Sequence, residues 1–318
     1  MEFPQMCIVT PIDRPQKKAY NEKNSPLRDR TDNILTGKDH TNMKNPEIFS
    51  IWSSYDVDLT PEDMVLAMER RGLTVCELSD EHAAVLLQRE GTPAEVGAAF
   101  GAYAKEHNLT FPQGHLWLAV RLCSKEVDAV AILKNWFELF AAIGVKNAVL
   151  HCDGHSLGAD ATHEEVIAAN AEKLKLLAPY AEELGLCICL ENLGGHFAHL
   201  SDLLDVIERV NSPALGICLD TGHLHIHEKE MTQEAFILGA GKLLHALHIA
   251  DNDTSGDQHL MPYGRGTIDW PSVMRGLNAI GYDDCFNYEI PGERRLPMPV
   301  RDAKAEYLKT VTAYLFSL

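Results

Sequence analysis

Four short apolar stretches of this chain each end in a side chain that can bind a metal ion. These residues are Glu191, Asp220, His248 and Glu289, and they close the strand-like runs CICLE, GICLD, LHALH and CFNYE. They are spaced 29, 28 and 41 residues apart, about the length of a strand followed by a helix. Polar groups at the end of every buried strand are costly unless they converge on a shared partner. The repeat therefore predicts parallel strands alternating with helices, and a divalent metal ion where the strand ends meet.

The composition permits one large buried core. The 318 residues are 46% hydrophobic and 23% charged, and no apolar run approaches the roughly 18 residues that a membrane span requires. Residues 1–18 are too polar, and too often interrupted by proline, for a secretory signal. The eight cysteines include no CxxC pair, which argues against a zinc knuckle or a dithiol redox site. We therefore expect a cytoplasmic protein whose cysteines are buried and reduced.

The formal net charge of −18 is unevenly distributed. Residues 1–45 contain eight Lys/Arg and six Asp/Glu, so residues 46–318 contain twenty basic and forty acidic side chains. A body with this excess of negative charge repels both nucleic-acid phosphates and anionic lipid. The charge therefore argues against nucleic acid or a membrane as a partner and favours a small molecule.

The chain divides into a polar extension and one long repeating region. Residues 1–45 lack hydrophobic periodicity and are rich in Lys, Asp, Asn, Thr and Pro, which predicts a disordered extension. Met43 opens a segment that resembles a natural start of translation, a hypothesis that N-terminal sequencing would test. Residues 46–318 alternate strand-like and helix-like patterns. The predicted strands are 48–54, 74–79, 111–118, 147–152, 186–191, 215–220, 244–250 and 285–290.

Eight strands and eight helices in about 273 residues predict an α/β fold, a single (β/α)8 TIM barrel, which typically needs ~250 residues. Helix patterns cover 61–72, 162–185 and 199–210, with start signals at Thr60 and Ser201. An open, doubly wound sheet is the alternative, but no GxGxxG motif follows the first strand.

The barrel also predicts which side chains lie beneath the ligands. The residue two positions before each ligand faces the same side of its strand. All four such residues are small: Cys189, Cys218, Ala246 and Asn287. Small inward side chains leave room for the ligands to meet above them.

Four motifs surround the predicted ligands: CLENLGG (189–195), ICLDTGHLHIH (217–227), LHIADNDTSGDQHLMPYGRGTIDW (247–270) and FNYEI (286–290). Together they resemble motifs of the xylose isomerase-like TIM barrel superfamily, which contains sugar phosphate isomerases and epimerases and is related to endonuclease IV. The resemblance extends over residues 46–318 and is sharpest from residue 187 onward. In sugar-processing members, the ligands after strands 5 to 8 bind one divalent ion. The resemblance thus implies that the same four residues here hold one metal ion.

Five further side chains are similar to the remaining zinc ligands of endonuclease IV, which binds three zinc ions. They are His115, His151, His223, Asp257 and His259. A multinuclear zinc phosphodiesterase therefore stays open as an alternative. The acidic body and the lack of basic loops argue against a nucleic-acid duplex as the substrate. We interpret the five residues as contacts to the substrate or as residues that surround the metal ligands.

Two positions depart from the pattern of ketohexose 3-epimerases. Those enzymes carry a glutamate six residues after the strand-5 ligand and an arginine six residues after the strand-7 histidine. Phe197 and Thr254 stand here instead, so the polar groups that hold a free ketohexose are missing. Arg265 offers a cation for a hydroxyl, carboxylate or phosphate, and the polar loop 251–266 is a candidate lid over the site.

Three carboxylates and one histidine favour Mn or Mg over Co or Zn. A cation chelated by a carbonyl and an adjacent hydroxyl acidifies the carbon between them and stabilises the enediolate. With Glu191 and Glu289 as base and acid, this chemistry predicts an isomerase or epimerase of a small carbohydrate. Elimination of a β-substituent from a keto-sugar or keto-glycoside is a close variant. A non-catalytic, metal-stabilised subunit is the other alternative, and the sequence is compatible with a homo-oligomer without specifying one.

Overall fold

Parallel pairing closes eight strands into a barrel. The computed structural model describes residues 49–290 and 295–318. The strands are β1 (Phe49–Trp52), β2 (Val75–Leu78), β3 (Thr110–His115), β4 (Asn147–Leu150), β5 (Cys187–Glu191), β6 (Leu215–Asp220), β7 (Leu244–His248) and β8 (Phe286–Tyr288). They pair in the order β7-β6-β5-β4-β3-β2-β1-β8. The ring closes because Ile249, just after β7, exchanges backbone hydrogen bonds of 2.8 and 3.2 Å with Asn287 and Glu289. The predicted (β/α)8 barrel is confirmed.

The described residues contain ten α-helices, two more than predicted. They are α1 (Pro61–Arg70), α2 (Asp80–Leu87), α3 (Pro93–Glu106), α4 (Ala129–Ile143), α5 (His163–Leu184), α6 (Leu200–Val210), α7 (Thr221–His227), α8 (Gln233–Ala240), α9 (Trp270–Ile280) and α10 (Met298–Leu315). The β2–β3 and β6–β7 connections each contain two helices. The second helix of each pair has its own N-cap, because the side chains of Thr92 and Thr232 accept hydrogen bonds from backbone N–H groups. The prediction of one helix per connection was therefore wrong for the β2–β3 and β6–β7 connections.

The helix boundaries follow local capping chemistry. Thr60 caps α1 as predicted, since its hydroxyl accepts a hydrogen bond from the backbone of the third helical residue. Gly185 ends α5 with a positive φ of 70°, a conformation that glycine adopts without strain. The predicted start of α6 at Ser201 was wrong. The N-cap is His199, two residues earlier, where the Asp202 carboxylate accepts a hydrogen bond of 3.0 Å from the His199 N–H.

The sheet separates two buried layers. An extended hydrophobic core fills the space between the strands and the surrounding helices. Inside the barrel lies a smaller cluster formed by Val149, Cys189, Cys218 and Ala246, which confirms three of the predicted small inward positions. The fourth, Asn287, is fully buried and its side chain hydrogen-bonds inside the barrel. Because these side chains are short, longer side chains above them can approach one another.

Several strands are shorter than the apolar runs suggest. The strand predicted at 111–118 ends at His115, and the one predicted at 285–290 covers only Phe286–Tyr288. The residues beyond the strand ends remain largely buried in loops, which is why the runs look longer in sequence. The predicted extension at 1–45, including Met43, lies outside the described residues. No helix in the part of the chain that the structure describes combines the length and apolar character needed to cross a bilayer.

Candidate metal centre

The four predicted metal ligands converge at the C-terminal ends of four adjacent strands. Glu191, Asp220 and His248 end β5, β6 and β7, and Glu289 directly follows β8. All four are buried, and one ligand atom from each lies within 4.8 Å of the others. His248 Nδ1 lies 3.3 Å from carboxylate oxygens of both Glu191 and Glu289. Three carboxylates and one imidazole around a common point suit a divalent ion.

Two atoms of this cage lack a partner of their own. His248 Nδ1 and Asp220 Oδ2 are fully buried and have no hydrogen-bond partner within residues 49–290 and 295–318. The other carboxylate oxygen of Asp220 is satisfied, because it accepts a hydrogen bond of 2.6 Å from the backbone N–H of His223. An unpaired buried polar atom costs about 1–3 kcal/mol. Since both free atoms belong to the cage, these residues fit a bound divalent metal ion.

Glu77, which was not among the predicted site residues, orients His248. The imidazole Nε2–H donates to Glu77 Oε1 at 3.1 Å, and the Asn287 amide donates to the other oxygen of Glu77. The Ser50 hydroxyl in turn donates to Asn287 Oδ1 at 2.5 Å. All four side chains are fully buried. Because the Nε2–H is committed to Glu77, Nδ1 is the nitrogen that remains to bind a metal ion.

Replacing Glu77 with Gln should lower the affinity for a divalent metal ion by about 10- to 100-fold, the usual effect of losing a group that orients a metal ligand. Gln keeps the size and one acceptor oxygen, but it loses the charge and one of the two acceptors. Titration of the metal-free protein against a chelating dye measures the change. The control is Glu172→Gln, which alters an exposed glutamate on α5. Wild-type affinity in a folded Glu77→Gln variant would remove this role from Glu77.

Glu191 is the centre of a wider histidine cluster. His151 Nε2 lies 2.9 Å from Glu191 Oε2, and His115 Nε2 lies 3.6 Å from the same oxygen. His223 Nδ1 lies 3.3 Å from Oε1. The Nδ1–H of His115 donates to the backbone oxygen of Leu116 at 2.6 Å, which leaves Nε2 for the site. His115, His151 and Glu191 therefore form a second group with the geometry of a metal site.

A third group lies at the rim and consists of His223, Asp257 and His259. Asp257 Oδ2 is 3.3 Å from His223 Nε2 and 3.1 Å from His259 Nε2. His259 Nδ1–H also donates to the backbone oxygen of Glu289 at 2.8 Å. The Asp257 side chain is 45% exposed, so this group faces the entrance. The structure thus brings the nine predicted acidic and imidazole residues into one continuous cluster.

The loop between β7 and α9 is anchored at its base. The Asp251 carboxylate accepts hydrogen bonds of 3.1 Å from both the Ile268 N–H and the Trp270 indole N–H. A Cβ at Gly266 would lie 2.1 Å from Asp251 Cγ, so only glycine allows this close approach. The anchored base holds the two loop residues of the rim group in place. Movement of this loop as a lid stays a prediction.

Three other predicted positions lie apart from the cluster. Arg265 is 67% exposed and lies 3.8 Å from Asp253; its role in substrate binding stays a prediction. Phe197 is buried in the core between helices and strands. Thr254 lies in the β7–α9 loop with a positive φ of 67°.

The electrostatics of the cage favour a cation. Burial opposes a charge on His248, yet the acidic Glu289 and Glu77 raise its pKa well above the usual range. Burial also opposes ionisation of Glu191, but the neighbouring imidazoles of His248 and His151 hold its pKa well below the usual range. Burial, aided by the charge of Glu191, raises the pKa of Glu289 to about 7 against the lowering effect of His248. The two carboxyl groups therefore differ in how readily they bind a proton.

Comparison with known proteins supports this description of the fold. A family model described as a xylose isomerase-like TIM barrel matches residues 66–311. The ketose 3-epimerase of Arthrobacter globiformis is 32% identical over 117 residues, which cover 36% of this chain and 38% of that protein. The D-psicose 3-epimerase of Enterocloster bolteae is 26% identical over 194 residues, covering 57% and 61% respectively.

The chain spans 60% and 51% of the length of the first two curated relatives that it matches, both of them uncharacterised proteins. Among solved structures, a D-psicose 3-epimerase from Clostridium cellulolyticum H10 superposes with a TM-score of 0.68. The superposition covers 85% of this chain and 99% of that chain, at 17% sequence identity. At this identity the likeness shows the fold alone.

Proposed function

The chain belongs to the xylose isomerase-like TIM barrel family, and we propose that it is a divalent-metal-dependent isomerase or epimerase of a sugar or a sugar derivative. The observation that carries this proposal is the cage formed by Glu191, Asp220, His248 and Glu289. The curated relatives named as ketose and D-psicose 3-epimerases support a sugar as the substrate class.

A divalent cation in the cage, with Mn or Mg favoured over Co or Zn, would polarise a substrate carbonyl and make the neighbouring C–H more acidic. Glu191 ends β5 and Glu289 directly follows β8, the first and last strands of the arc β5-β6-β7-β8. From these positions they can approach one substrate carbon from opposite sides. One carboxylate removes a proton and the other carboxyl group returns one. Return to the opposite face gives an epimer, and return to the adjacent carbon gives an isomer.

The substrate is better described as a sugar derivative than as a free ketohexose. Phe197 is only 1% exposed and Thr254 replaces a charged side chain with a short hydroxyl, so neither supplies the expected polar contact. A keto-glycoside meets the same requirement for a carbonyl next to an acidic C–H. Loss of a β-substituent from such a substrate would make the enzyme a lyase.

Proton exchange tests this function without knowledge of the product. Metal-stripped protein is loaded with Mn or Mg and incubated in D2O with neutral ketoses, aldoses, sugar acids and keto-glycosides. We expect deuterium to enter next to the carbonyl of at least one substrate, with formation of its epimer or isomer, only in the metal-loaded samples. If no member of the panel exchanges or reacts with either metal, the proposed function is wrong.

One observation favours a second candidate function, a multinuclear zinc phosphodiesterase related to endonuclease IV. Five overlapping groups of the described residues can hold a metal ion, and three of them together contain all nine clustered residues: the cage, the group of His115, His151 and Glu191, and the rim group. Metal content after purification separates the candidates, because sugar chemistry needs about one ion per chain and the three-group alternative about three. About three zinc ions together with cleavage of abasic DNA would establish the second candidate in place of the first.

A further inference from the structure

Buried polar atoms without hydrogen-bond partners concentrate at one face of the barrel. Seven such side-chain atoms occur in the described residues, and three of them belong to His115, Asp220 and His248 of the metal cluster. Two others, Trp52 Nε1 and Asp80 Oδ1, lie on the same face at the ends of β1 and β2. Folded proteins pair the large majority of such atoms. Their concentration at the barrel mouth indicates that a ligand supplies the missing partners.

Trp52 points into the barrel. It is the last residue of β1, and successive side chains of a strand point to opposite faces. Ser50 points inward, because its hydroxyl bonds to Asn287 inside the barrel. Ile51, between them, belongs to the outer core. Trp52 is only 8% exposed, and its indole N–H is a donor that only an acceptor can satisfy.

Asp80, the first residue of α2, bonds to the loop after β3 through one carboxylate oxygen and has no hydrogen-bond partner for the other. It lies two residues beyond β2 and is 9% exposed. Its Oδ2 accepts a hydrogen bond of 3.0 Å from the Leu118 N–H, in the loop after β3. Burial and the adjacent Glu81 carboxylate raise the pKa of Asp80 above its usual range, which the Leu118 hydrogen bond and the charge of His115 oppose. A buried carboxylate oxygen in this position requires a donor.

We propose that Trp52 Nε1 and Asp80 Oδ1 form the second half of the substrate site and bind two oxygens of the substrate away from the metal ion. Strands β5 to β8 supply the metal half, and His115 on β3 lies between the two halves in the ring. Trp52 donates to one substrate oxygen, and Asp80 accepts from a substrate hydroxyl. This inference rests on the proposed function and specifies its substrate class, a sugar whose distal carbons carry free hydroxyl groups.

The same pair disfavours a sugar phosphorylated at the distal end. A phosphate there would bring its negative oxygens to the Asp80 carboxylate, and like charges in contact are strongly unfavourable. Among the described contacts, none joins Asp80 to a lysine or arginine. The surrounding body of the protein is itself strongly acidic. A neutral polyhydroxy chain satisfies both free atoms, whereas a phosphate ester satisfies only the indole.

Direct binding tests this inference independently of turnover. Mn-loaded protein is titrated calorimetrically with neutral sugars, their alditols, single-deoxy analogues and terminal phosphate esters. Trp52→Phe keeps a ring and removes the N–H, and Asp80→Asn keeps the size and removes the charge. Each variant should bind the fully hydroxylated sugar about tenfold more weakly than the wild type does. For the one deoxy analogue that lacks the oxygen contacted by the substituted residue, the affinities of variant and wild type should differ by less than about twofold. Wild-type protein should bind the phosphate ester at least about tenfold more weakly than the neutral sugar.

Trp136→Phe, which alters a tryptophan in the outer core on α4, is the matched control and should bind like the wild type. Metal content shows whether the cage of each variant is intact. Any one of four results would overturn the inference. They are wild-type affinity in both variants, equal losses of affinity for every analogue, no binding of any sugar, and tighter binding of the phosphate ester than of the neutral sugar. If the expected pattern appears but no sugar is turned over, the proposed function fails and this inference stands.

Discussion

Glu289→Gln should lower turnover of the sugar substrate by about 10²–10⁴-fold at saturating metal, the usual contribution of general acid–base catalysis. Glutamine keeps an oxygen that can bind the ion, but it cannot accept a proton. Glu191→Gln should lower turnover on the same scale, and excess Mn in the assay offsets any weaker metal binding. The two losses should differ in kind. If Glu289 is the base, its variant stops exchange of the substrate's α-hydrogen with D2O, whereas Glu191→Gln still allows exchange without completing turnover.

The exposed Glu172→Gln variant, whose side chain pairs only with Lys175 among the described contacts, is the control for this pair and should keep wild-type turnover. Exchange followed by NMR, alongside steady-state rates, separates the two roles. Near-normal turnover by both metal-saturated variants would leave Glu191 and Glu289 as metal ligands only.

His248→Ala should abolish tight metal binding. The substitution removes the only imidazole of the cage and leaves Glu191, Asp220 and Glu289 as buried carboxylates without their cationic neighbour. Elemental analysis after desalting measures the bound metal directly. Added Mn should also raise the melting temperature of the wild type, since a ligand at 100 times its Kd stabilises the folded state by about 2.7 kcal/mol. The variant should show no such shift.

His245→Ala is the matched control, because His245 lies near the start of the same strand and pairs instead with Asp284 at 3.1 Å. Its metal content and its response to Mn should equal those of the wild type. A His248→Ala protein that retains wild-type metal content would refute the ligand assignment.

The convergence of the four candidate ligands could be predicted because their position depends on a local rule. Each is the last residue of an apolar run or directly follows it, and the C-terminal ends of parallel barrel strands meet on one face. A spacing of one strand and one helix along the chain therefore becomes adjacency in space. His115 and His151 were instead proposed from the similarity to endonuclease IV, and the structure places both beside Glu191. Helix number was harder to predict, because a threonine cap within a connection starts a second helix without changing the strand pattern.

Glu77 could not be identified in this way. It lies within the short strand β2, 171 residues from the histidine that it orients. In the sequence it is one acidic residue in an apolar run, with no motif around it. The Glu77 carboxylate lies beneath His248 and beside Asn287 only because of strand pairing. Strand β1 pairs with both β2 and β8, and β8 closes onto β7.

The sequence by itself determined the barrel and the face on which the four candidate ligands meet, because strand periodicity and spacing are properties of neighbouring residues. The tertiary structure decided which atom of each side chain is free. The Nε2 of His248 and one oxygen of Asp220 are satisfied by partners in the fold, which leaves Nδ1 and Oδ2 for the ion. Trp52 and Asp80 became candidates for substrate binding because each has a buried polar atom without a hydrogen-bond partner among the described residues. Whether a buried polar atom has a partner depends on register and closure between strands that are distant in sequence, and these are established only when the barrel forms.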